Sequence, residues 1–165
     1  MTLPLREAER SGRAGHAADA GRPVTANLYQ EVQGFYAHQM RLLDSGQVEA
    51  WAETFTEDGV FSANAHPEPT RGRAAIIEGA RAARARLAEQ GVRHRHWLGM
   101  VDVEPLAEGR LRVHSYALVL AIPQGGPAAV HVHTTCVDEL VPVAGGWQVS
   151  TRLVARDDLA TEPTR

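Results

Sequence analysis

The chain has 165 residues, of which 44% are apolar and 22% are charged, and these values are ordinary for one soluble globular domain. Its formal net charge of -3 at pH 7 is too small to indicate a nucleic-acid or membrane partner, and its longest apolar run, residues 116–122, is too short to span a bilayer. The single cysteine, Cys136, excludes an internal disulfide and favours a reducing, cytoplasmic setting.

The two ends of the chain differ in composition from the part between them. Residues 1–23 are small, charged and glycine-rich, with no apolar periodicity and no apolar core of a secretory signal. We therefore predict a disordered tail over 1–23, a single domain over 24–158 and a short tail over 159–165.

The first half of that domain has helical patterning. Thr25 is a candidate N-cap for a helix whose apolar residues recur at helical spacing, and Asp44-Ser45-Gly46 ends it with turn chemistry. The elements predicted in this half are a helix over 25–44, a short helix over 48–55, a turn over 56–59, a strand from residue 60 and a third helix over 73–90.

The second half changes to strand patterning. Segments rich in Val, Leu and aromatic residues alternate with turns that contain Gly or Pro. The predicted strands are residues 93–103, 110–122, 128–143 and 147–155. Helices followed by consecutive hairpins indicate an α+β domain whose helices pack on one face of a curved antiparallel sheet.

Short motifs in this order resemble a known superfamily. They are Leu43-Asp44-Ser45-Gly46, Trp51, Phe55-Thr56-Glu57-Asp58-Gly59-Val60-Phe61, Arg95-His96-Trp97, Asp138-Glu139-Leu140, Gly145-Gly146-Trp147 and Arg152. Over residues 29–158 the chain resembles the NTF2-like superfamily, in particular its SnoaL-like branch. The resemblance implies a cone built from three N-terminal helices and a curved mixed or antiparallel sheet, and a homodimer formed through that sheet.

A second resemblance concerns chemistry. His96-Trp97-Leu98-Gly99, the run from His131 to Cys136 and the helix-ending Asp44 are similar to segments of scytalone dehydratase, and the second half resembles small proteins of bacterial aromatic polyketide biosynthesis. Cys136 stands where that dehydratase has a substrate-binding Asn, and its second catalytic His has no match here. The reaction class is therefore implied, but not the substrate.

His96 and Asp44 are the first candidates for catalysis. Strand alternation places His94, His96, Leu98 and Met100 on one face, where a half-buried His96 can act as a general acid or base. Asp44 would orient His96, and we expect the two side chains within hydrogen-bond distance inside the cone. The alternatives are a core histidine bonded to a carbonyl and an aspartate that serves only the turn.

Tyr116 is the third catalytic candidate, because a tyrosine hydroxyl can polarise a substrate carbonyl. Its alternative is an aromatic core residue whose hydroxyl reaches the cone mouth, and no role is assigned to His114. The residues expected to contact a hydrophobic substrate are Tyr36, Trp51, Leu98, Leu118, Thr134 and Cys136.

His131 and His133 have a spacing that binds metals in some folds. No third ligand is evident in the sequence, so we predict no metal and no cofactor, and we place both histidines on the outer sheet face, where they could contact a second subunit. Arg152 is expected to pair with Asp138 or Glu139 across a hairpin, the alternative being an anionic substrate.

The candidate residues, together with what the two resemblances imply, predict a cofactor-independent enzyme of polyketide or other secondary metabolism. It would perform acid–base dehydration, cyclisation or isomerisation on a hydrophobic aromatic intermediate. The alternatives are a non-catalytic ligand-binding or assembly module, and the small subunit of a ring-hydroxylating oxygenase, since fold alone does not imply chemistry.

Overall fold

The computed structural model describes residues 24–159, so the predicted tail over 1–23 and all but the first residue of the tail over 159–165 lie outside the described residues. The described chain forms helices and strands in the predicted order. They are α1 Ala26–Ser45, α2 Val48–Ala52, β1 Phe55–Ala63, β2 Thr70–Arg71, α3 Arg73–Glu89, β3 Val92–Pro105, β4 Leu111–Pro123, β5 Ala129–Val143 and β6 Gly146–Arg156.

Helix α1 begins and ends at the residues that the sequence indicates. The Thr25 hydroxyl accepts a hydrogen bond from the Leu28 backbone N–H at 3.2 Å, and Gly46 ends the helix with a left-handed φ of 78°. A Cβ at Gly46 would lie 0.8 Å from Nη1 of Arg84, so the Arg84 side chain of α3 lies directly against the turn that follows Asp44.

The six strands form one sheet in the order β2-β1-β6-β5-β4-β3. Strands β1 and β6 pair in parallel, and every other pair is antiparallel. The helices pack on one face, which we call the inner face, and the opposite face is the outer face. The predicted α+β architecture, with three helices on a curved mixed sheet, is confirmed.

One local prediction is wrong, and one short element was missed. The turn expected over 56–59 lies within β1, where it shifts the register between Phe55 and Val60. The short strand β2 was not predicted, because two residues give no alternation to detect.

A bulge in β3 changes which residues face the helices. The pairing with β4 slips between Gly99 and Asp102, and Met100 adopts a φ of 52° with 77% of its surface exposed. Leu98 before the bulge and Val103 after it therefore both pack towards the helices. The prediction that Met100 shares a face with His96 is wrong, because the extra residue reverses the alternation.

Candidate active site

Asp44 holds His96 through two hydrogen bonds. Its Oδ1 lies 2.7 Å from Nδ1 of the imidazole, and its Oδ2 accepts from the His96 backbone N–H at 3.1 Å. Asp44 is in the last turn of α1, and His96 is on the inner face of β3. The Asp44 side chain is 8% exposed and that of His96 is 23% exposed. The contact expected from the sequence is present, and it leaves Nε2 of His96 for another partner.

The pair lies in the wall of a pocket of about 370 Å³ between α1 and β3. Helix α1 supplies residues spaced by three or four positions, so they form one stripe of the helix. The pocket is lined by Gln33, Tyr36, Ala37, Met40, Arg41, Asp44, Arg95, His96, Trp97 and Leu98. The helical spacing back from Asp44 is the signal that could have identified Gln33, Ala37, Met40 and Arg41 from the sequence.

A second pocket, of about 480 Å³, lies between the end of α3 and the turn that joins β4 to β5. Glycine, proline and aliphatic residues make up most of its wall, and Arg93 is its only ionisable lining residue. It therefore offers no acid–base pair.

Tyr36 connects the pocket to a buried polar network. Its hydroxyl donates to Oδ2 of Asp138 at 2.8 Å, and Arg152 donates to both oxygens of Asp138 at 2.9 and 2.6 Å and to the Gln39 amide oxygen at 2.7 Å. Burial, followed by the Asp138 charge, raises the pKa of Tyr36 well above its usual value. Burial opposes the charge of Arg152, but Asp138 outweighs it and raises the pKa of that guanidinium.

The expected pairing of Arg152 is confirmed with Asp138, which is its direct partner across the β5–β6 hairpin. Glu139 faces the other side of the sheet and pairs with Arg110 and Arg112 at 3.5 Å.

The placement of Tyr116 and Leu118 in the pocket is wrong. Leu98 pairs with Ala117, so the inner face of β4 carries Ala117 and Ser115, and its even-numbered residues face outwards. Tyr116 is 49% exposed, and its ring lies 5.4 Å from that of His133 on the outer face. Alternation separates the residues of β4 into two faces but does not say which face meets the helices. The face that carries Tyr116 and His114 has more functional groups, but it is the outer face.

Of the other expected contact residues, Tyr36 and Leu98 line the pocket and three do not. Trp51 is buried in the core with its ring 5.1 Å from that of Phe55. Thr134 and Cys136 are buried on the inner face of β5, and burial raises the pKa of the Cys136 thiol.

His131 and His133 lie on opposite faces of the sheet, because the register between β4 and β5 shifts beside His131. His133 is on the outer face as expected, where its Nδ1 bonds the Asp157 carboxylate. The outer-face placement of His131 is wrong, since its ring lies 4.9 Å from His94, a neighbour of His96 on the inner face. Partial burial, and then the charges of His131 and His96, lower the pKa of His94.

Within residues 24–159, no group of three or more His, Cys, Asp or Glu side chains is arranged to hold a metal ion. In the same range, no helix is both long enough and apolar enough to cross a membrane.

Comparison with known proteins identifies relatives of this chain. The family model of the SnoaL-like domain matches residues 24–153. The structure of Aln2 from a Streptomyces species is 33% identical over 83% of this chain and 96% of that chain, with a TM-score of 0.76. A search of curated proteins finds no match.

Two further structures are similar. A protein from Catenulispora acidiphila in complex with S-DNPA is 32% identical over 81% of this chain and 96% of that chain, with a TM-score of 0.72. An NTF2-like protein with a cystatin-like fold from Novosphingobium aromaticivorans is 25% identical over 80% of this chain and 83% of that chain, with a TM-score of 0.67.

Proposed function

Because this chain belongs to the family of SnoaL-like domains within the NTF2-like superfamily, we propose that it is a cofactor-independent enzyme acting on a hydrophobic, aromatic polyketide-like intermediate. It removes a proton from carbon next to a carbonyl, in a reaction that ends in dehydration, cyclisation or isomerisation. The observation that carries this proposal is the Asp44–His96 pair in the wall of the pocket.

The two hydrogen bonds that Asp44 accepts from His96 orient this histidine as a general base. A carboxylate that accepts from Nδ1–H fixes the tautomer and leaves the lone pair of Nε2 for the substrate. The same carboxylate stabilises the imidazolium that forms when His96 takes the proton. His96 can then deliver the proton to a leaving hydroxyl, which gives dehydration, or to another carbon, which gives isomerisation. In cyclisation the carbanion attacks a second carbonyl of the same substrate, and His96 delivers the proton to the oxygen of that carbonyl.

The negative charge that develops on the substrate oxygen needs a donor in the pocket. Tyr116 is excluded from this role by its position on the outer face. The Gln33 amide lines the pocket and donates one hydrogen bond to the Tyr29 hydroxyl at 2.7 Å. Its second N–H is the donor that we assign to the substrate oxygen.

The proposal is tested with a model ketone, since the natural substrate is not needed to detect proton abstraction. We expect the protein to accelerate exchange of the C1 protons of 2-tetralone in D₂O, followed by proton NMR. His96→Ala should slow the catalysed exchange by about 10²–10⁴-fold, the usual contribution of a general base. His133→Ala is the matched control, because it breaks a His–Asp pair on the opposite face, and it should keep the full rate.

The same experiment separates this function from the alternatives. Exchange no faster than in buffer, or equal rates for His96→Ala and the unchanged protein, would contradict the proposal. A protein that binds S-DNPA but exchanges no protons would be a ligand-binding module. Co-purification with a larger iron-containing chain would instead indicate the small subunit of a ring-hydroxylating oxygenase.

A further inference from the structure

Two arginines lie at the rim of the pocket beside the candidate base. Arg41 comes from α1 and Arg95 from β3, and both line the pocket with Asp44 and His96. The Arg95 side chain is 48% exposed, and Arg41 is also exposed to solvent. Both guanidinium groups are therefore accessible to a ligand that enters the pocket.

Few groups of the protein itself bind the guanidinium groups of Arg41 and Arg95. Nη1 of Arg95 donates to the Asp44 backbone carbonyl at 3.2 Å and lies 3.9 Å from Oδ2 of the same residue. Asp44 is the only acidic residue of the lining, and His96 already bonds both of its carboxylate oxygens. No ion pair within residues 24–159 involves Arg41. The rim thus has two cations and one carboxylate, Asp44, whose oxygens both bond His96.

We propose that the substrate carries a carboxylate, and that Arg41 and Arg95 bind it at the rim while the aromatic rings enter the pocket towards His96. This inference deepens the proposed function and rests on it. Guanidinium groups match a carboxylate with paired N–H donors.

The rest of the lining agrees with an aromatic acid. Ala37, Met40 and Leu98 provide the apolar surface, and a volume of about 370 Å³ is within the range of small-molecule sites, roughly 300–1,000 Å³. Nη1 of Arg95 lies 3.9 Å from Oδ2 of Asp44, so the guanidinium that binds the substrate carboxylate also offsets the repulsion between that carboxylate and Asp44. Arg41 and Arg95 therefore determine specificity and orientation, and His96 performs the chemistry.

The test compares two ligands that differ in one charge, 2-naphthylacetic acid and 2-naphthylacetamide. Isothermal titration calorimetry at low ionic strength should show that the unchanged protein binds the acid about tenfold more tightly than the amide. Arg41→Gln and Arg95→Gln should each weaken binding of the acid by about 3- to 10-fold, as expected for a partly exposed charge-assisted contact. Binding of the amide should not change, which shows that each variant keeps its fold and pocket.

Three controls distinguish binding of the acid by Arg41 and Arg95 from its attraction to the positive charge of the protein in general. Arg93→Gln removes an arginine two positions from Arg95 on the same strand but outside this pocket, and it should leave the affinity for the acid unchanged. Arg95→Lys should keep part of the preference, because the charge remains while the paired donors are lost. Sodium chloride should weaken binding of the acid and not of the amide.

Equal affinities of the unchanged protein for the acid and the amide would overturn the carboxylate assignment, as would failure to bind either ligand or an equal loss in Arg93→Gln. Proton exchange from 2-tetralone, which has no carboxylate, would survive that result. A failure of this inference is therefore distinguishable from a failure of the proposed function.

Discussion

At the scale of single residues, the Arg152–Asp138 pair is the interaction whose loss should matter most for stability. The two side chains are 6% and 1% exposed, and Tyr36 and Gln39 complete the hydrogen bonds around them. Arg152→Met leaves a buried carboxylate without its counter-ion, so we expect the free energy of unfolding to fall by about 3–5 kcal/mol. Urea denaturation measures this change.

The matched control for that variant is Arg81→Ala, which removes one partner of an exposed pair with Glu49. We expect no measurable change, because water solvates both charges in the folded and unfolded states. A loss of stability in Arg152→Met no larger than in this control would show that the buried network does not support the fold.

The Asp44–His96 pair gives a second prediction at this scale. Asp44→Asn and His96→Ala should each reduce exchange from 2-tetralone by about 10²–10⁴-fold, and the double variant should be little slower than the poorer single variant, because the residues act as one unit. NMR exchange rates of the three variants test this. Independent, multiplicative losses would mean that Asp44 acts on the substrate rather than through His96.

At the scale of elements, the β3 bulge allows His96, Leu98 and Val103 to face the helices together, at the cost of a strained Met100. Met100→Gly should raise the free energy of unfolding by about 0.5–1 kcal/mol, since glycine adopts a positive φ without a Cβ clash. Removal of the Met100 side chain costs little packing, because that side chain is exposed. Met100→Ala retains the Cβ and should give no gain in the same urea experiment; equal gains in both variants would contradict the strain argument.

The elements also show which features the sequence could predict. The ends of α1 and the Arg152–Asp138 pair follow from local rules of capping and hairpin pairing, and they are present. The Asp44–His96 contact joins two segments distant in sequence, and it is expected from the resemblance to scytalone dehydratase together with strand alternation; it is also present. The positions of Met100 and His131 could not be predicted, because a bulge reverses alternation without a residue pattern of its own. The face of Tyr116 depends on which side of β4 meets the helices, and that is decided by packing between segments distant in sequence.

At the scale of the whole molecule, the outer face of the sheet carries exposed apolar side chains. Trp97, Tyr116 and Leu153 are 69%, 49% and 49% exposed, and strand pairing places Leu118 beside Trp97 and Val137 beside Leu153. Exposed apolar side chains grouped on one face of a sheet are typical of an interaction surface. We propose that a second copy of the chain covers it.

Light scattering after gel filtration should then give twice the chain mass of 17.9 kDa. Leu153→Arg should shift the protein towards the monomer, because it places a charge in the contact. Val143→Arg changes an apolar residue that is also exposed but lies at the β5–β6 turn, and it should remain dimeric. A monomeric mass for the unchanged protein at micromolar concentration would contradict the dimer.

The position of β6 has a consequence for how the chain is made. Strand β6 lies between β1 and β5. It therefore joins β1, the first strand of the domain, to the antiparallel strands β3, β4 and β5. A nascent chain still on the ribosome, with β6 not yet emerged, has no partner for the long edge of β1 and no Arg152 to neutralise Asp138. The native sheet can therefore be completed only after β6 has left the ribosome, which makes folding of this domain dependent on the strand that is made last in its sheet.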